Sequence, residues 1–247
     1  MVNILISGAL GRMGRKVFEA SKNYGDVKVV AGVDVKEDNL GFPVYSSFSD
    51  VKEKADVIID FSSKSNLDNL LDYAQREKVN AVLCATGYDE KDIKKIEKAS
   101  KDIALFRSSN MSLGVNILID LVKKATSLLK GFDIEIVEMH HNKKKDAPSG
   151  TALMLADAVK EIDNEKFYVY GRHGLVGERN PDEIGIHALR GGTVVGDHQV
   201  IFAGDSETIT LSHTATDRSV FANGAIRASV YLKNKKSGLY SMSDIVK

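Results

Sequence analysis

Val2 to Ser7 is a largely apolar run closed by Gly8-Ala9-Leu10-Gly11-Arg12-Met13-Gly14, and no other stretch constrains the fold as strongly. Val17 and Ala20 then return at helical spacing, which gives strand, glycine loop, helix. Each glycine has its own expected use: Gly8 for a tight turn, Gly11 for backbone approach to a pyrophosphate, Gly14 for close helix packing. Val27 to Val33 reads as the next strand and ends in Asp34, where an acid meets the hydroxyls of an adenosine ribose. A glycine loop alone can be mere helix packing. With a strand before it, a helix after it and the acid at the next strand end, the pattern favours a bound dinucleotide. The carboxylate of Asp34 suits a free 2′-hydroxyl, while Lys36 can pair with a 2′-phosphate, so NADH is expected and NADPH stays open.

The alternation continues with strands at Val57–Phe61, Ala81–Ala85 and Ile103–Arg107, and helices near Ser65–Lys78 and Glu90–Lys101. Repeated βα units predict a parallel, doubly wound sheet of Rossmann type. Ligands of such sheets sit beyond the carboxyl ends of the strands, which points to Phe61-Ser62, Cys84-Ala85-Thr86-Gly87 and Ser108-Ser109-Asn110-Met111. Those residues also suit ordinary turns. Cys84 reads as a small buried hydrophobe, since no base lies near it in sequence.

Leu113–Lys130 is predicted as an amphipathic helix with Leu113, Ile117, Leu121, Leu128 and Leu129 on its core face. Beyond it the chain turns strand-rich, with runs at Ile134–Val137, Phe167–Tyr170, Ile186–Leu189, Val194–Val195, Gln199–Ala203 and Thr208–Ser212. This predicts a second, α+β domain with a mainly antiparallel sheet over residues 113–218. Residues 1–112 and 219–247, including a returning helix at Val220–Leu232, form the dinucleotide domain. Gly171-Arg172-His173-Gly174 and Arg190-Gly191-Gly192 read as hairpin connections. Arg218, just before the last helix, is either a carboxylate clamp or a solvated charge.

Most of the unusual chemistry lies in Glu138-Met139-His140-His141-Asn142-Lys143-Lys144-Lys145-Asp146-Ala147-Pro148-Ser149-Gly150-Thr151-Ala152. A strand leads in, and Ala152, Leu155, Ala156 and Val159 lead out at helical spacing. Ser149 is a natural N-cap, leaving the amides of Gly150 and Thr151 to meet an anion. Two imidazoles and three lysines precede it. The outline is an anion site with a proton donor, and histidine's ordinary pKa of about 6.5 suits that work.

The 247 residues are long enough to bury a proper core, with 43% hydrophobic and 28% charged residues. Lys plus Arg equals Asp plus Glu at 34 each, so no overall field recruits nucleic acid or a membrane surface. A single cysteine excludes an intrachain disulfide and suits a reducing compartment, with cytoplasm the default. No signal peptide or membrane span is read at the N-terminus.

GALGRMGR at Gly8–Arg15, SSNMSLGVN at Ser108–Asn116, EMHHNKKKDAPSGTA from Glu138 and FANGAIRA at Phe221–Ala228 resemble the 4-hydroxy-tetrahydrodipicolinate (dihydrodipicolinate) reductases of lysine and diaminopimelate biosynthesis, in that family's order. The resemblance implies NAD(P)H-dependent reduction of a small cyclic dicarboxylic imine. It puts the proton donor at His140, a second donor at Lys144 and substrate contacts at His141, Gly150 and Thr151, to which the N-cap Ser149 and the clamp reading of Arg218 add two candidates from the residues alone. It puts the cofactor at Gly8, Ala9, Leu10, Gly11, Arg12, Met13, Asp34, Cys84, Ala85, Thr86, Ser108, Ser109, Asn110 and Met111, to which Lys36 is added from its charge alone. It also implies a homotetramer assembled through the substrate-domain sheet. Many members have a Gly-Thr-Thr type sequence at Cys84-Ala85-Thr86, phenylalanine at Met111, and an acid-arginine pair where this chain has Asp34-Val35-Lys36.

Three rival readings stand beside it. An adjacent histidine pair can suggest a metal, but consecutive strand residues point to opposite faces and no third ligand follows, so no metal is expected. A reductase of another amino or keto acid could share the plan. A dinucleotide-sensing protein would bind without turnover.

Overall fold

A computed structural model describes residues 1–246. The chain begins β1 (Val2–Ser7), α1 (Arg12–Ser21), β2 (Val27–Val33), β3 (Asp38–Asn39), β4 (Pro43–Tyr45), β5 (Val57–Asp60), α2 (Leu67–Glu77), β6 (Asn80–Leu83), α3 (Glu90–Ala99) and β7 (Ala104–Arg107). It continues α4 (Leu113–Leu128), β8 (Asp133–His140), α5 (Gly150–Ile162), β9 (Phe167–Tyr170), β10 (Glu183–Arg190), β11 (Gly196–Ala203), β12 (Thr208–Ala215), α6 (Ser219–Leu232), β13 (Gly238–Tyr240) and α7 (Ser243–Val246). Two compact units result: residues 1–113 with 218–247, and residues 114–217. Each boundary lies one residue from the expected one, so Arg218 falls in the first unit, not with the second as expected.

The first unit holds an eight-stranded sheet ordered β13-β7-β6-β5-β1-β2-β4-β3, parallel except for the β3–β4 pair. Both faces are covered, which is why Ile4, Leu5 and Ile6 of β1 are apolar in succession rather than alternating. Ile4 and Ile6 pack with Val17 of α1 and Ala225 of α6, while Leu5 packs with Leu70 of α2 and Ile96 of α3 on the other face. Strand order reverses between β1 and β5, and the loops after those two strands meet at that point. Asp89 caps α3 in a reciprocal capping box with Asp92.

The second unit's sheet is ordered β12-β11-β8-β10-β9. It is mixed rather than mainly antiparallel: β11 pairs antiparallel with β12 and β8, whereas β10 runs parallel to β8 and β9. The reason is connectivity, because α5 returns the chain between β8 and β9 in the manner of a crossover. For the same reason neither glycine segment is a hairpin. Gly171–Gly174 joins the parallel strands β9 and β10, and Arg190–Gly192 carries the chain from β10 past β8 to β11. Val194 and Val195 belong to that second connection and form no strand, since Gly192 turns the backbone at φ +51° and β11 starts only at Gly196.

One face of this sheet carries the core, with Ile134, Ile136, Val200 and Phe202 packed against Leu155 and Val159 of α5 and Leu118 and Val122 of α4. The predicted core face of α4 is therefore corrected. Ile117, Leu121 and Leu128 are exposed, the last to 71%, and the helix buries Val115, Leu118, Val122 and Thr126 instead. Apolar residues occur nearly all round this helix, so several faces fit a 3.6-residue repeat and packing chooses among them.

Candidate active site

The glycine loop joins β1 to α1. Gly8 stands at φ +78°, and a Cβ there would come 3.0 Å from backbone atoms of Phe61 and Ser62 after β5. Gly14 is more restricted still, since a Cβ would lie 2.2 Å from the Gly8 carbonyl oxygen. Gly11 is the N-cap of α1 and offers no side-chain cap, so the leading end of a ten-residue helix is presented without one, as a pyrophosphate requires. Arg15 Nε donates to the Leu10 carbonyl at 3.1 Å and braces the loop. Asp34 does more than terminate β2: its Oδ2 accepts the Leu10 amide at 2.8 Å and its Oδ1 the Val35 amide at 2.7 Å. The carboxylate thus fixes the loop, while Lys36 is exposed at its flank. These features fit a dinucleotide. Arg12 is exposed, Ala9 is buried, and Leu10 and Met13 are half-buried against the β-sheet core.

Asp60 ends β5 buried beside this loop, accepting the amide and hydroxyl of Ser62 at 3.1 and 2.5 Å; burial raises its pKa. Cys84, Ala85 and Thr86 follow β6. Cys84 is half-buried where a buried side chain is expected, and burial pushes its thiol up, against a nucleophilic role. After β7, Ser108 Oγ donates to the Asn110 carbonyl at 3.0 Å, and Asn110 Oδ1 accepts the Ser112 amide at 2.8 Å; Ser109 is exposed. Met111 is core, and a Cβ on Gly224 of α6 would lie 1.7 Å from its carbonyl oxygen. That contact explains the glycine in FANGAIRA.

In the second unit β8 alternates strictly, so Glu138 and His140 share the buried face beneath α5. Glu138 is fully buried, and its carboxylate receives four donors. Oε2 takes His140 Nδ1 at 2.6 Å and Arg190 Nη1 at 2.9 Å, and Oε1 takes Arg190 Nη2 at 2.9 Å and the Ser149 amide at 3.0 Å. Burial pushes this carboxyl up, but the bonds from Arg190, His140 and Ser149 outweigh it and hold it below the usual range. Arg190 stands opposite His140 in the β8–β10 register, and His198 opposite Glu138 in the β8–β11 register. His198 meets the His140 ring edge to face at 5.2 Å between centroids, and its Nε2 lies 3.1 Å from Ser149 Oγ. Burial and the neighbouring His140 lower its pKa to about 4, so it is a neutral imidazole near pH 7.

Ser149 caps α5 as expected, its Oγ accepting the Ala152 amide at 3.2 Å. Gly150 is exposed and Thr151 half-exposed at the helix start. Lys144 Nζ pairs with Asp146 Oδ2 at 2.8 Å, and that bond lowers the Asp146 pKa. His141 lies beyond the strand, where its Nδ1 accepts the Lys143 amide at 3.2 Å. The two adjacent histidines thus go different ways, one into the cluster and one outside it. Arg218 is the N-cap residue of α6 in the first unit. Sequence reasoning did not single out Glu138, Arg190 or His198. Glu138 could have been found from its two-residue offset to His140 on a strand; the other two depend on strand order.

Family models described as dihydrodipicolinate reductase, N-terminus and C-terminus, match residues 2–111 and 114–246. A curated 4-hydroxy-tetrahydrodipicolinate reductase from Caldanaerobacter subterraneus subsp. tengcongensis is 54% identical over 100% of this chain and 99% of its own. One from Clostridium tetani is 49% identical, over 98% of this chain and 96% of its own. A dihydrodipicolinate reductase from Paenisporosarcina sp. TG-14, solved with dipicolinate bound, shares the fold at a TM-score of 0.81 and 23% identity, covering 98% of this chain and 97% of that one. With both halves matched and relatives near half identity over full length, the chain belongs to the dihydrodipicolinate reductase family.

Proposed function

We propose that the chain is an NAD(P)H-dependent reductase of 4-hydroxy-tetrahydrodipicolinate, with tetrahydrodipicolinate as product and His140 as the proton donor. One observation carries the residue assignment: the imidazole of His140 and the first capped turn of α5 are tied to the same buried carboxylate, so a proton donor and an anion-binding helix end are held together. The N-terminus of α5 at Gly150 and Thr151 takes one ring carboxylate, with Lys144 and His141 as further cationic or hydrogen-bonding contacts. A dicarboxylate is the class of ligand named for the solved relative with dipicolinate. NAD(P)H, when bound, supplies the hydride. His140 delivers the proton that neutralises the electron density left on the ring, and the 4-hydroxyl leaves as water, so the substrate gains two electrons and two hydrogens and loses one H2O. Lys144 holds charge beside this step, its own partner Asp146 being an exposed carboxylate that a substrate anion can replace.

The dinucleotide is assigned to the Gly8–Met13 loop, to Asp34 with Lys36, and to the segments Cys84–Thr86 and Ser108–Met111. A homotetramer through the second sheet is part of the same proposal. On the face away from α5, Val137, Met139, Leu189 and Ile201 form an apolar surface that is incompletely covered. A cytoplasmic location follows from the biosynthetic role, and among the described residues no helix is long and apolar enough to cross a membrane.

The test couples aspartate semialdehyde and pyruvate through the upstream synthase and follows NADH or NADPH absorbance. Substrate-dependent oxidation is expected, and its absence with pure protein would sink the assignment. His140→Ala and Lys144→Ala are each expected to lower kcat by about 10²-fold or more while dinucleotide Kd is kept, since positioned proton transfer contributes on that order. Unchanged kcat in either removes that residue from the mechanism.

A further inference from the structure

The geometry points to Glu138 as a positioning residue that locks His140 in the tautomer bearing hydrogen on Nδ1, leaving Nε2 as the proton-transferring atom, and that fixes the start of α5 to it. This rests on the reading of His140 as the acid. Four acceptor sites on a carboxylate meet four donors here, with His140 Nδ1 and Arg190 Nη1 on Oε2, and Arg190 Nη2 and the Ser149 amide on Oε1. No donor can leave without exposing a fully buried charge, so the group has one orientation. Nδ1 can face this anion only as N–H, which excludes the opposite neutral tautomer.

The rest of the ring's setting agrees. Gly196 lies against Nε2, where a Cβ would stand 3.0 Å away, so that edge of the ring is kept clear by the lack of a side chain. Arg190 fixes the carboxylate from the neighbouring strand and donates to the Asp146 carbonyl at 2.6 Å, which ties the loop that carries Lys144 to the same cluster. His198 touches the ring and Ser149 Oγ, and its neutral state adds no cation beside His140. Strand, loop and helix start are therefore registered through one side chain, two residues before the proton donor.

Glu138→Gln keeps size and shape but replaces one acceptor oxygen by an NH2 group, which must then face either His140 Nδ1–H or the Ser149 amide. Nitrogen-15 NMR of histidine-labelled protein is expected to show neutral His140 of the unsubstituted protein as the Nδ1–H form and that of Glu138→Gln as a mixture. Steady-state kinetics is expected to show kcat lowered about 10- to 100-fold, the range for residues that orient a functional imidazole, with Kd for NADH unchanged. Should Glu138→Gln fail to fold, the unsubstituted protein still decides: an Nε2–H tautomer there overturns the proposal. A folded Glu138→Gln with unaltered kcat and tautomer overturns it equally. The two readings separate cleanly, because an Nδ1–H tautomer in the unsubstituted protein together with undiminished kcat in His140→Ala leaves the lock standing and removes the acid.

Discussion

On the proposed cofactor assignment, replacing Asp34 by alanine removes two things at once, a loop bond seen in the structure and a ribose contact that the assignment implies. The Oδ2 bond to the Leu10 amide holds the glycine loop whether or not a nucleotide is present. A hydrogen bond to a charged group contributes about 1.5–3 kcal/mol, and for a half-exposed carboxylate the lower end applies, so loop disorder should weaken either dinucleotide roughly tenfold. A carboxylate bonded to a free 2′-hydroxyl contributes a comparable amount, but to NADH alone, which makes the expected loss for NADH about 10²-fold. For NADPH the lost carboxylate is a neighbour of the 2′-phosphate, so relief of repulsion offsets the loop term and Lys36 keeps its attraction. Asp34→Asn keeps the Leu10 bond through its amide oxygen and removes the charge, at the cost of the Val35 bond, where its NH2 replaces the accepting oxygen. Fluorescence titration of both variants with NADH and NADPH reads the two dissociation constants directly. If Asp34→Ala weakens both cofactors equally and Asp34→Asn weakens neither, Asp34 is a loop clamp without a ribose contact.

Gly14→Ala places a methyl 2.2 Å from the Gly8 carbonyl oxygen and 2.8 Å from the Ala9 Cα, both backbone atoms that move only if the loop does. A loss of about 1–3 kcal/mol in stability is expected together with weaker NADH binding, and an unchanged melting temperature and Kd would refute it. Stability should also fall on acidification in two adjoining windows. Burial raises the Glu135 pKa, but bonds from Arg172, His187 and Arg179 bring it down to about 2 from an ordinary 4.5, so its contribution is present above pH 4.5 and lost as pH falls towards 2. His198 stays neutral to about pH 4 when folded, so below 6.5 the unfolded chain binds that proton first and stability declines from 6.5 to 4. Melting temperatures measured from pH 7 to 2 check both windows, and Arg179→Met, which removes the bonds to Glu135 and Asp133, should flatten the lower one.

The sequence was most legible where local physics and tertiary packing coincide. Gly8 and Gly14 could be read because a positive φ and a backbone contact demand a residue without a side chain. Ser149 could be read because an N-cap is a matter of four consecutive residues. The α4 helix shows the opposite case, since its apolar residues satisfy more than one helical face and only the sheet beneath it selects Leu118 and Val122 over Ile117 and Leu121. The His140 cluster divides along the same line. Glu138 is two residues away on one strand, so alternation alone places it on the imidazole's face. Arg190 lies 52 residues from Glu138, and His198 lies 49 from Ser149, and their own strands reveal which face they occupy but not which strand they adjoin. That information enters only when the crossover through α5 puts β10 parallel on one side of β8 while β11 runs antiparallel on the other. Had the sheet been a simple meander, as its turn-rich sequence suggests, β10 and β11 would be neighbours and could not flank β8 with Arg190 and His198. The mixed topology is thus what closes a ring of donors around a single buried carboxylate.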